Sequence, residues 1–300
     1  MQKMLKQAGA REFDGPKETW PHLFLSVDAF EASPYHRNVT QKLKNVHTGL
    51  YETAVFAGGR LFNLDAVQPD PDRELMDWMK LRALDRDAET LILSDSGLDW
   101  MLDSPSEAAT NDPAAAKAHG SVLLFGLGIG YVLYMILHHA KAERITVVEK
   151  DERILAAFRE ILFPLFPDRE KVTFLQEDAF ALWDRDFLAS YDYVYADIWQ
   201  SAEDGLEAMG RLLQKEVPEP AKTDFWIEDS CIVPLRTLLF LHYEELYRKK
   251  EQPVHPSFAP LMTNVRRWAD SLTQTIDDPM TLKHYMYDRT VLRSILGGRL

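Results

Sequence analysis

From Ser121 onward, short apolar runs alternate with helical patterns, and this alternation constrains the fold more than any other feature. Residues 122–125, 145–148, 171–175 and 193–196 read as strands, with 224–227 a candidate fifth. Between them lie helical patterns to about residue 140, over 151–162 and near 205–215, and a long helix follows to about residue 250. Parallel neighbours in a sheet need long crossovers, which helices supply. The pattern therefore predicts an α/β fold, a parallel sheet with helices on both faces. After residue 252 only helical patterns occur, around 261–275 and 280–296.

Upstream the reading is mixed. Residues 50–64 read as a hairpin turning at Ala57-Gly58-Gly59-Arg60. Leu75, Trp78, Met79 and Leu81 have helical spacing, so residues 73–84 read as a helix. Residues 91–102 read as a second hairpin, turning at Asp95-Ser96-Gly97. Polar or proline-rich breaks fall at 68–73, 103–120 and 217–223. The division expected is an N-terminal β-rich domain, 1–118, and a second domain, 119–300.

The chain has 300 residues, 47 acidic against 34 basic, and a net charge of -13. Such a chain is a poor match for a phosphate backbone, so no nucleic-acid partner is expected; a small molecule or a protein is favoured. The most apolar stretch, residues 121–137, is broken by three glycines and two tyrosines, too short and interrupted for a membrane span. Residues 1–15 are polar, without an apolar signal core. Cys231 is the one cysteine, so no intrachain disulfide forms, which fits a reducing, cytoplasmic setting. The histidines show no ligand spacing with it, and no metal is expected.

Ligands of open parallel sheets bind at the carboxyl ends of the strands. The first strand runs into Gly126-Leu127-Gly128-Ile129-Gly130-Tyr131, where glycines permit a tight turn and close approach to a ligand; a plain strand-to-helix turn is the alternative. The spacing departs from the dinucleotide fingerprint, because Tyr131 stands where the third glycine belongs. The second strand ends in Glu149, followed by Lys150 and Asp151; a carboxylate here can accept from both hydroxyls of a ribose, or can be a solvated strand-end charge. Asp178, before Ala179 and Phe180, can accept from an adenine amine or can cap a helix. Asp197 ends the fourth strand and can act as a base or hold a cation; it too can cap a helix. Trp199 can wall the cofactor or acceptor site or can pack a helix, and Glu228-Asp229-Ser230 can border an acceptor site or start a helix.

Together the glycine loop, Val148-Glu149-Lys150-Asp151, Glu177-Asp178-Ala179-Phe180 and Tyr191-Asp192-Tyr193-Val194-Tyr195-Ala196-Asp197 resemble the S-adenosylmethionine-dependent methyltransferase fold, most closely its spermidine synthase-like (aminopropyltransferase) branch. The matched motifs lie within residues 121–200. The resemblance implies a Rossmann-like methyltransferase core with the N-terminal β-rich domain and a helical C-terminal extension. It implies that Gly126, Leu127, Gly128 and Gly130 cradle the amino-acid part of the cofactor. Glu149 with Lys150 would hold the ribose, Asp178 with Ala179 the adenine, and Asp197 with Trp199 would face the transferred group. It also implies pairing of N-terminal domains in a homodimer.

The departures separate the readings. Leu124 stands where many methyltransferases place an acid, and Ile129 where aminopropyltransferases place aspartate in the loop. Asp197 continues into Ile198-Trp199-Gln200-Ser201 rather than S-x-D-P, the upstream D-E-x-x-Y-x-E pattern is not found, and helices replace the sheet-closing hairpin. The leading expectation is methyl transfer from S-adenosylmethionine to a small-molecule acceptor. The alternatives are aminopropyl transfer from decarboxylated S-adenosylmethionine and a non-catalytic cofactor-binding scaffold.

Overall fold

The computed structural model describes residues 23–43, 45–64, 81–249 and 253–299. Their strands are β1 (Phe24–Leu25), β2 (Tyr51–Phe56), β3 (Phe62–Asn63), β4 (Leu81–Leu84), β5 (Ala88–Asp95) and β6 (Leu98–Leu102) upstream. Downstream follow β7 (Gly120–Phe125), β8 (Ala142–Glu149), β9 (Val172–Gln176), β10 (Tyr193–Ala196) and β11 (Thr223–Phe225). The last five form one all-parallel sheet in the order β11-β10-β7-β8-β9. The chain steps outward from β7 to β9, then returns to the other side of β7 for β10. The strand order thus reverses between β7 and β10.

Side chains alternate across this sheet, as the pleat requires. Val122 and Leu124 of β7 join Tyr193 and Tyr195 of β10 in one apolar cluster; Leu123 and Phe125 join Val194 and Ala196 in another. The first cluster is closed by the Tyr131–His139 helix and by N-terminal residues including Tyr35, Tyr51 and Leu91. The second is closed by the Ala202–Lys215 helix and the C-terminal helices Val233–Arg248, Ala259–Ser271, Pro279–Tyr287 and Arg289–Gly297. Both faces being covered explains why β10 is buried throughout and reads as a continuous apolar run.

The N-terminal elements form two three-stranded sheets, β1-β4-β3 and β2-β5-β6. The β5–β6 hairpin turns at Ser96 and Gly97, both at positive φ, as expected. The hairpin expected over residues 50–64 does not form. The bend is present, but β2 pairs with β5 and β3 with β4. The turn residues fix the bend, and the choice of partner strand is made by distant residues. Leu81–Leu84 is a strand, not a helix end, and the rest of that expected helix, like the break at 68–73, lies outside the described residues. The break expected over 103–120 is largely a helix, Pro105–Lys117, capped by the Ser104 side chain with Pro105 at its first position. Its buried residues are the small Asn111, Ala114 and Ala115, so its apolar stripe is faint in the sequence. The expected helix over 280–296 is two helices, parted at Asp288, whose carboxylate caps the second.

No helix among the described residues is long and apolar enough to cross a membrane.

Candidate functional site

A cavity of about 360 Å³ opens at the carboxyl ends of β7, β8, β9 and β10, where the strand order reverses. Gly126, Leu127, Gly128, Glu149 and Lys150 line it, and so do Asp178, Ala179, Asp197 and Trp199. Gly130 stands outside this lining. A side chain there would strike the Phe158 and Phe166 rings, so this glycine serves the packing of the helix that follows.

The glycine loop is fixed by its surroundings. Gly126 has φ +95°, and any side chain there would overlap the Asp197 carbonyl; its absence lets the ends of β7 and β10 close up. Two N-terminal tyrosines donate to loop carbonyls: Tyr35 Oη to Ile129 O at 2.6 Å and Tyr51 Oη to Gly128 O at 2.9 Å. The β5–β6 hairpin covers the cavity through Asp95, Trp100 and Met101. It is tied down by Arg153, which bridges Asp95 at 2.8 Å and Asp151 at 2.6 Å, and by the Gln200 amide, which donates to Asp99 O. Arg153 also holds both of those carboxyls below their ordinary range.

Each oxygen of Glu149 accepts one backbone N–H, from Leu127 at 3.3 Å and from Asp151 at 2.9 Å. The carboxylate is therefore aimed, with lone pairs to spare for further donors. Burial raises its pKa, and the backbone bonds partly offset that. Asp178 caps the short Ala179–Leu182 helix by accepting from Phe180 N, as the cap alternative has it, and it also lines the cavity. Trp199 is 5% exposed, packs near Phe225 and lines the cavity. Asp197 caps no helix; that place is taken by Ser201, which forms a capping box with Asp204. Burial pushes the Asp197 carboxyl up to about 7.

The sequence reading missed Glu107, which stands on the Pro105–Lys117 helix and lines the same cavity. Its Oε1 accepts from Asn111 Nδ2 at 2.7 Å, and Asn111 Oδ1 accepts from Tyr195 Oη at 2.7 Å. Burial, followed by the nearby charge of Asp197, pushes the Glu107 carboxyl up to about 8. One signal was present: Ser104-Pro105-Ser106-Glu107 has capping-box spacing with proline at the first helical position. Ser104 does accept from Glu107 N, but the Glu107 side chain turns to Asn111 instead of back to the cap, which leaves it on the cavity wall.

The raised value has a consequence for stability. Between the ordinary carboxyl range and about 8, folded Glu107 holds a proton that the unfolded chain has released. Stability therefore falls as pH rises through that window. Glu107→Gln is expected to flatten this fall, measured as the difference in Tm between about pH 5.5 and about pH 8. An unchanged difference would show that the carboxyl is ionised throughout.

Glu228-Asp229-Ser230 starts a short helix and stands outside the cavity lining. Glu228 and Asp229 belong to a partly buried ion network with Arg236, Arg289 and Arg293. Cys231 is buried and its thiol is pushed up to about 12 by that burial, which suits packing and not nucleophilic attack. Among the described residues, no group of three or more His, Cys, Asp or Glu side chains is placed to hold a metal ion.

No protein-family model matches the chain, and the search of curated proteins returns no match.

Proposed function

We propose that the cavity binds S-adenosylmethionine and that the chain transfers its methyl group to a small-molecule acceptor. One observation carries this reading: the glycine loop and three strand-end acids, Glu149, Asp178 and Asp197, line a single cavity at the point where strand order reverses. Numbered from β7, that order is 3-2-1-4-5, the doubly wound arrangement of nucleotide-binding sheets. The resemblance of these motifs to a Rossmann-like methyltransferase core supports the same reading.

The residues fit such a cofactor. Gly126 and Gly128 present bare backbone to the cavity, and Glu149 is aimed by two backbone donors with capacity for two ribose hydroxyls. Asp178 lies further along the wall, within the same lining, where an adenine amine can donate to it. When bound, the cofactor supplies a carbon on a positively charged sulfur, an electrophile that needs no further activation. The chain's part is then alignment, exclusion of water by the hairpin and Trp199, and removal of a proton from the acceptor at the Asp197 carboxylate.

Calorimetric titration tests this with S-adenosylmethionine, its decarboxylated form, S-adenosylhomocysteine and methylthioadenosine. Binding of the two carboxylated ligands is expected, weakened about 30-fold in Glu149→Ala, from loss of about 2 kcal/mol of charge-assisted hydrogen bonding. Preference for the decarboxylated donor would replace methyl transfer by aminopropyl transfer. Binding without turnover over a broad acceptor pool would leave a scaffold, and binding by none of the four would end the reading.

A further inference from the structure

The Pro105–Lys117 helix lies against β10, and the two elements meet in register. At one level, Lys117 Nζ and Tyr193 Oη both donate to Asp224 Oδ2, each at 2.8 Å. At the next, Tyr195 Oη donates to Asn111. Helix and strand thus run in opposite directions. One step further along β10 on the same face is Asp197, about 6.6 Å beyond Tyr195. One turn back along the helix from Asn111 is Glu107, about 6 Å away. The two steps match, which brings Glu107 and Asp197 to one level of the cavity that both line, near enough for the Asp197 charge to act on Glu107. Asn111 fixes Glu107 by accepting from Tyr195 and donating to the carboxyl, so the pair is held by the same contacts that set the register.

We propose that Glu107 and Asp197 act as one proton-sharing carboxyl pair, facing the transferred group of the donor and taking the proton that the acceptor gives up. This rests on the donor assignment above. The acceptor it implies is a nucleophile with a transferable N–H or O–H proton. As the acceptor's lone pair bonds to carbon, the carbon–sulfur bond breaks with its electrons left on sulfur, and the acceptor's proton ends on the pair. Two carboxyls in one poorly hydrated site do not both ionise readily, so at neutral pH the pair holds a proton and retains capacity for another. Asp103, Tyr131, Tyr195 and Cys231 sense the pair, and none of these is a cation. A cation, Lys150, lines the same cavity, and it is present whichever ligand binds. The positive charge that differs between two bound ligands is therefore the ligand's own.

That gives a test needing no acceptor. S-Adenosylmethionine and S-adenosylhomocysteine differ by the methyl group and its positive charge on sulfur. Titrating each by calorimetry near neutral pH, in buffers of different ionisation enthalpy, yields the number of protons released on binding. The sulfonium is expected to release more than the thioether. Glu107→Gln keeps the acceptor oxygen for Asn111 and should shrink the difference; Asp197→Asn should do the same from the opposite side. Equal proton counts in the wild type, or a difference that both substitutions leave unchanged, would overturn the pair while leaving the donor assignment standing. Failure of the wild type to bind either ligand would overturn the donor assignment, and the pair's role with it.

Discussion

Arg293→Ala is expected to cost about 3–5 kcal/mol, enough to remove much of the stability of an ordinary domain. Arg293 is 1% exposed, and its guanidinium forks onto Glu228, with Nε to Oε1 at 2.7 Å and Nη2 to Oε2 at 2.6 Å. It also donates to Thr223 O of β11 and lies over the Phe225 ring. Truncation leaves Glu228 charged and buried, with Arg289 as its nearest remaining cation at 3.9 Å. The cost comes chiefly from that stranded charge and less from the lost attraction. Replacing both partners by methionine should therefore recover most of the loss. Urea unfolding of Arg293→Ala and of the double methionine variant checks this; a double variant as unstable as Arg293→Ala would mean that the pair itself, and not the orphaned carboxylate, is what matters.

The second large effect is at the glycine loop. Gly126→Ala is expected to destabilise by about 4 kcal/mol, combining left-handed backbone strain with displacement of a packed backbone. Its amide donates to Val148 O, and Asp197 N donates to Phe125 O, so neither strand end can retreat without losing a hydrogen bond. Gly49 supplies the control. It has φ +85°, but a side chain there would meet nothing within 4 Å. Gly49→Ala should show the strain alone, about 1 kcal/mol. Equal thermal shifts for the two variants would remove the close approach as the reason for Gly126.

These two sites differ in how far they could be read from the sequence. The parallel sheet was legible because each strand is an apolar run ending in a glycine or a polar residue, and the ligand-side acids sit at those ends. Glu149, Asp178 and Asp197 were found that way, and all three line the cavity. Gly130 obeys the same local pattern yet packs against phenylalanines, since spacing along a loop does not say which glycine faces the cavity. Glu107 was hidden because its helix buries alanines and an asparagine, so the segment resembles a linker. The Arg293–Glu228 pair joins residues 65 apart, and no periodicity marks such a partnership. Residues 50–64 show the same limit in another form: the bend is local, but strand pairing is not.

The tyrosines that donate to Gly128 O and Ile129 O have an implication for how a ligand is received. A glycine-rich loop is ordinarily among the costliest segments to immobilise, because each glycine has so many conformations to lose. Here that freedom is surrendered when the N-terminal elements dock on the sheet, long before any ligand arrives. For the ligand proposed above, association would begin from a cradle already in shape, and the enthalpy of contact would go into holding the ligand instead of ordering the chain. The segment upstream of the sheet is in this sense a thermodynamic part of the site, and its two tyrosines act on the loop through backbone carbonyls.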